Sequence, residues 1–107
     1  MSTEIENSLR WWETFVVRLA TELQHYDDYL NDLCSRQKLA QRITEMRDLA
    51  DREAAICRLK AADEIFIRHS LPFNDGLMMA SSANNPDLEW FFYRLPLVTG
   101  KDFPQSP

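Results

Sequence analysis

The sequence predicts an all-α protein: a long antiparallel helical hairpin, with helices over about 3–34 and 37–70, packed at its open end by one or two short C-terminal helices. Three observations carry this. The apolar residues Ile5, Leu9, Trp12, Val16, Leu19, Leu23, Tyr26, Leu30 and Leu33 alternate in steps of four and three, the seam of a coiled coil. No glycine or proline occurs between Met1 and Leu71. The 107-residue chain has two glycines, both beyond residue 75, too few for a sheet of tight hairpins.

The first helix is expected to begin at Thr3, whose hydroxyl can accept from the Glu6 amide while the Glu6 carboxylate reaches back, a capping box. Trp11, Phe15 and Val17 widen its apolar face around Trp12 and Val16. Its second half is polar off the seam, with Glu22, Gln24, Asp27, Asp28 and Asp32. The turn is placed near Cys34–Gln37; a break within 24–28 is the alternative and would give one more, shorter helix. From Lys38 the pattern resumes with Leu39, Ile43, Met46, Ala50, Ala54, Cys57, Ala61 and Ile65 on one face, and Leu49, Ile56, Leu59, Phe66 and Ile67 form a second strip. Pro72 stops the helix. Each rod would hold about 31 residues, roughly 46 Å.

Folded back, the start of the first rod lies beside the end of the second, and both ends carry surplus apolar surface. The tail is expected to cover them. Asn74, Asp75 and Gly76 read as a turn, Leu77–Ala80 as a short helix, and Asn85 and Pro86 as the start of another running through Trp90, Phe91, Phe92 and Tyr93 to Pro96. Residues 1–96 then make one helical domain and 97–107 an extended tail.

Composition narrows the functional classes. Apolar residues at 45% and charged residues at 27% are those of an ordinary folded domain. No apolar run approaches the ~20 residues that span a bilayer, and the first residues do not resemble a signal peptide, so a cytoplasmic protein without a membrane contact is expected. Cys34 and Cys57 fall about 28 Å apart along the hairpin, Cys34 at the turn and Cys57 in the core, and should be free thiols.

The net charge of −5 is uneven: −5 over 1–34, +3 over 35–60 and −3 over 61–107. Pairing between neighbouring helices explains this more simply than a basic strip for nucleic acid, which the overall negative charge would oppose. Direct nucleic-acid binding is therefore not expected.

Little chemistry is assembled. Glu22 and His25 form Glu-x-x-His, half of a two-iron carboxylate signature, but His69 follows Phe66 at that spacing and lies more than roughly 30 Å away in the hairpin. No catalytic residue, metal site or cofactor is assigned. The sequence points to a small non-enzymatic protein–protein interaction module, an adaptor or inhibitor of a larger assembly that binds another protein and itself forms a homo-oligomer, a dimer. Its candidate partner-binding residues are Tyr26, Tyr29, Leu30, Asp27, Asp28, Trp11, Phe15, Trp90 and Phe92, because rings dominate interface hot spots. Two alternatives stand beside it. One is an acidic decoy, carried by Glu13, Glu22, Asp27 and Asp28, that blocks the nucleic-acid site of a DNA- or RNA-binding protein. The other is a small ligand- or metal-binding bundle around His25 and the aromatic residues.

Overall fold

The computed structural model describes residues 1–73, 76–77, 90–100 and 103. Among these lie helices α1 (Thr3–Arg18), α2 (Tyr26–Thr44) and α3 (Leu49–Arg68), then strand β1 (Ser70–Pro72), a 3₁₀ turn (Trp90–Tyr93) and strand β2 (Arg94–Pro96). The protein is mostly helical, but the two long rods are three helices of 16, 19 and 20 residues, about 24–30 Å long. β1 and β2 pair antiparallel, Leu71 opposite Leu95, so a small sheet accompanies the helices.

Side-chain contacts fix the directions. Glu4 meets Arg42 at 2.9 Å and the Phe15 and Tyr29 rings lie 6.4 Å apart, so α2 runs antiparallel to α1. The Met1 amine meets Asp51 at 2.6 Å and His69 Nδ1 lies 2.9 Å from the Val16 carbonyl, so α3 runs parallel to α1. Both α1–α2 and α2–α3 are therefore antiparallel hairpins, with connections over 19–25 and 45–48 and none at Cys34–Gln37; Cys34 sits in the middle of α2. The start of α1 lies beside the start of α3, which reverses the expected pairing of ends. The Cα radius of gyration is 14.0 Å, near the ~13 Å of a compact chain of this length and unlike two extended rods.

The break between α1 and α2 has no glycine or proline to announce it. Its cause is tertiary. Continuous helix would hold Tyr29 about 21 Å from Phe15 along one axis; folding back lets the two rings enter one core. The backbone freed at the break is satisfied by the C-terminal segment, since the Gln24 amide donates to Val98 and the Gly100 amide donates to the Gln24 carbonyl, at 3.0 and 2.9 Å. Leu23, on the expected seam, is pushed out to solvent.

Two of the three helix starts, those of α1 and α3, are capped by a local side chain. Ser2, one residue before the expected Thr3, accepts the Ile5 amide at 3.3 Å; Glu6 turns to Arg58 and Arg10 and does not close a capping box. Asp48 caps α3 by accepting the Asp51 amide at 2.9 Å.

The core draws on Leu9, Trp12, Phe15, Val16 and Leu19 of α1, Tyr29, Leu33, Leu39 and Ile43 of α2, and Ala55, Leu59, Ala62 and Phe66 of α3. The face of α3 predicted to be buried is thus turned outward: Ala50, Ala54, Cys57 and Ala61 are exposed. The tail covers the end of the bundle where α1 and α3 finish, with Phe73, Leu77, Phe91, Phe92 and Phe103 buried there. Arg94 reaches the end of α3, donating to the Ile67 carbonyl and to Ser70. Within the expected C-terminal helix, 90–93 is 3₁₀ and 94–96 is strand, because the chain turns to pair with β1. Gly76 takes a left-handed φ of 75°, consistent with a turn. The expected turn residues 74–75, the short helix at 78–80, the helix start at 85–86 and most of the tail beyond 100 lie outside the described residues.

At the centre is one ion pair. Arg36, 6% exposed, forks onto Asp63 through Nε (3.0 Å) and Nη2 (2.7 Å), and the Trp12 indole donates to the same carboxylate at 3.0 Å. The guanidinium also lies over the Phe91 ring, 5.1 Å from its centroid. Replacing Asp63 by alanine leaves Arg36 and the indole unpaired in the core. Asp63→Ala should lower unfolding free energy by about 3–5 kcal/mol in urea titration, and adding Arg36→Met should recover most of that loss.

Candidate functional site

The proposed partner-binding residues divide sharply by position. Tyr29 is fully buried, its hydroxyl donating to the Arg94 carbonyl at 2.8 Å, and burial pushes its phenol far above the ordinary value. Phe15 and Phe92 are also core residues, so these three rings face the interior and offer no surface. The reason is the fold-back of α2, which brings the rings of α1 and α2 against the tail. Tyr26 and Leu30 are half-buried against the same core, Tyr26 edge-on to Phe103 at 5.3 Å. Trp90 is half-buried, edge-on to Phe66. Trp11 remains 38% exposed, stacked on Phe15 with planes 7° apart. It forms one wall of an open depression of about 340 Å³ with Asn7, Ser8 and Ser35. Asp27 and Asp28 are exposed in the first turn of α2, where its dipole favours negative charge.

The acids of the first segment do not form one bare face. Glu4 pairs with Arg42, Glu6 and Glu13 with Arg58, and Glu22 with Arg18. The Arg58 hydrogen bond holds the Glu6 carboxyl below the usual carboxylate range, and both glutamates raise Arg58. The charge surplus of 1–34 is answered by the basic residues of 35–60, as pairing between helices requires. Glu13 and Glu22, half of the acidic decoy set, are engaged in this way.

Asp32 differs. Half-buried on α2, it is pushed up to about 6, first by burial and then by Asp28, with Arg18 opposing.

His25 caps α2 through its backbone alone, with an exposed ring. His69 ends α3 and its Nδ1 meets the Val16 carbonyl near the end of α1, where a helix leaves acceptors without partners. Among the described residues no three His, Cys, Asp or Glu side chains are placed to hold a metal, and no helix is long and apolar enough to cross a membrane. Cys34 and Cys57 form no disulfide. Cys57, expected in the core, is exposed because α3 is rotated to bury Ala55, Leu59, Ala62 and Phe66.

That rotation creates the most distinctive surface of the molecule. Leu49, Ile56 and Ile67 stand 62%, 36% and 45% exposed along the outer side of α3. Beside them run the exposed small residues Ala50, Ala54, Cys57 and Ala61, spaced 4, 3 and 4 like the seam of a helix pair. Scattered exposed apolar residues need no explanation, but here two strips of them run along one helix, with the exposed Glu53, Lys60 and Glu64 between the two. Sequence reasoning found both strips and assigned them to the interior. Size alone does not separate the two sides, since the buried one also holds Ala55 and Ala62 and the outer one Leu49, Ile56 and Ile67; the reach of Asp63 to Arg36 does.

The raised Asp32 has a definite consequence for stability. Its folded value lies above the ordinary 3.8, so its contribution is fully present below about pH 4 and is lost as pH rises through about 6. Asp32→Asn should therefore be more stable than the parent at pH 7, by about 1 kcal/mol after allowing for solvent screening, with the difference shrinking towards pH 4 in paired thermal melts. Comparison of the chain with protein-family models, with curated proteins and with solved structures gave no match.

Proposed function

We propose that the protein is a small non-enzymatic helical interaction module, working as an adaptor or inhibitor within a larger protein assembly. The observation that carries this reading is the outer side of α3. Leu49, Ile56 and Ile67 lie on a regular 20-residue helix whose opposite side already holds the core. Completing the burial of such side chains against a partner contributes at most about 1.5–3 kcal/mol each, part of which offsets the cost of association. The paired acids, the capping histidine and the stapled arginines all have structural work within the fold.

The reading differs from the sequence expectation in where it places the contact. Tyr29, Phe15 and Phe92 hold the helices together, whereas α3 presents the surface. Trp11 and the Asp27–Asp28 end of α2 remain available as secondary contacts.

Affinity purification from the native host should recover a defined protein partner with the parent chain, and recovery should fall at least about tenfold with Ile56→Glu. Val17→Glu, an equally drastic change at an exposed site on α1, should leave it unchanged. Equal recovery by the parent and Ile56→Glu, with both folded by circular dichroism, rejects α3 as the contact.

A further inference from the structure

We infer that the outer side of α3 is a self-complementary surface on which a second copy of this chain packs antiparallel, about a two-fold axis passing between Ile56 and Cys57. The inference rests on the reading of α3 as a docking face and names the occupant.

Spacing and charge carry it. Glu53 and Lys60 are seven residues apart, so they stand on the same side of the helix. Each precedes an alanine of the small-residue row, Glu53 before Ala54 and Lys60 before Ala61. They therefore line one edge of that row, with Ile56 between them. Both are exposed, and among the described residues neither makes an ion pair within the chain.

Read along the chain, this edge is negative, apolar, positive. Reversed, it is positive, apolar, negative. In an antiparallel pair the same edges of two helices face each other, so an axis between Ile56 and Cys57 sets Glu53 opposite Lys60 of the second copy and repeats the pair by symmetry. Ile56 then stands level with the second Cys57 along the axis, flanking the Glu53–Lys60 edge. A parallel pair would set this edge against the opposite edge of the second copy and would leave Glu53 and Lys60 without each other.

Size and long-range charge agree. Ala50, Ala54, Cys57 and Ala61 present no side chain larger than a thiol, so two backbones can approach to the close end of the usual 8–10 Å. Each chain carries a net charge of −5, which opposes dimerisation through most of the surface. On this side Glu53 and Glu64 are balanced by Lys60 and Arg68, and the approach is neutral. One helix about 30 Å long gives an interface at the small end of specific complexes. The dimer should therefore form in the micromolar range and exchange readily with monomer.

Light scattering across a concentration series should show the mass rising towards twice 12.6 kDa. Glu53→Lys and Lys60→Glu should each weaken the dimer by on the order of tenfold, and the double exchange should restore it. Ile56→Glu should hold the chain monomeric. A short bismaleimide should link parent chains through Cys57, with linkage kept in Cys34→Ser and lost in Cys57→Ser. A mass of one chain at every concentration overturns the inference, as does a double exchange as weak as the single ones. A monomer that still recovers an Ile56-dependent host partner overturns the second copy as occupant while leaving the interaction reading standing; a charge-swappable dimer with no host partner does the reverse.

Discussion

Everything in this bundle is registered on the buried Arg36–Asp63 pair. Taking a guanidinium and a carboxylate out of water costs several kcal/mol per ion, and the mutual attraction offsets this only when the geometry is good and every remaining donor is met. Here the fork is bidentate, Trp12 supplies a further hydrogen bond to the carboxylate, and the Phe91 ring lies under the cation. These contacts come from α1, α2, α3 and the 3₁₀ turn. A slip of one helical turn, 5.4 Å, would leave an unpaired charge in the core. Apolar packing tolerates some sliding; this arrangement does not, so it fixes which helix neighbours which and at what register, while the contacts at the helix ends set their directions.

The same constraint explains what could be read from the chain beforehand. Helicity, the apolar stripe of α1 and the stop before Pro72 follow from period and from missing breakers, both local properties. The pairing of acidic and basic segments follows instead from the uneven charge along the chain, and its geometry is not local. The break at 19–25 overlaps the alternative placed within 24–28 and adds the further helix which that alternative implied, but period alone does not select it, because the seam continues through Leu23 and no residue there forbids a helix. It exists because Tyr29 gains more against Phe15 and Phe66 than a straight helix could offer. Arg36 was legible in one respect: it interrupts the row Tyr29, Leu33, Leu39, Ile43 on the buried side of α2, where a cation must have a partner. The partner, Asp63, shows no sign of its role until α3 is rotated into place.

That rotation also decides which of the chain's apolar strips becomes surface. Helix α3 carries enough apolar residues for two sides, and a three-helix arrangement with a short tail can cover only one of them. Phe66 and Leu59 win the interior because large side chains fill the space between α1 and α2, and because Asp63 must reach Arg36. Ala50, Ala54, Cys57 and Ala61 are left outside together with Leu49, Ile56 and Ile67. Their exposure follows from geometry fixed by the core, and it gives α3 two separate roles on opposite sides of one helix.

The backbone link between Gln24 and the Val98–Gly100 segment bears on how the molecule comes to be made. Synthesis delivers residue 24 long before residue 98, and in that interval the early seam has only its own helical hydrogen bonds to satisfy it. A nascent rod running unbroken through the future bend is the conformation its local spacing favours. The hydrogen bonds that complete the native bend can form only afterwards, when the last segment offers partners for the Gln24 amide and carbonyl.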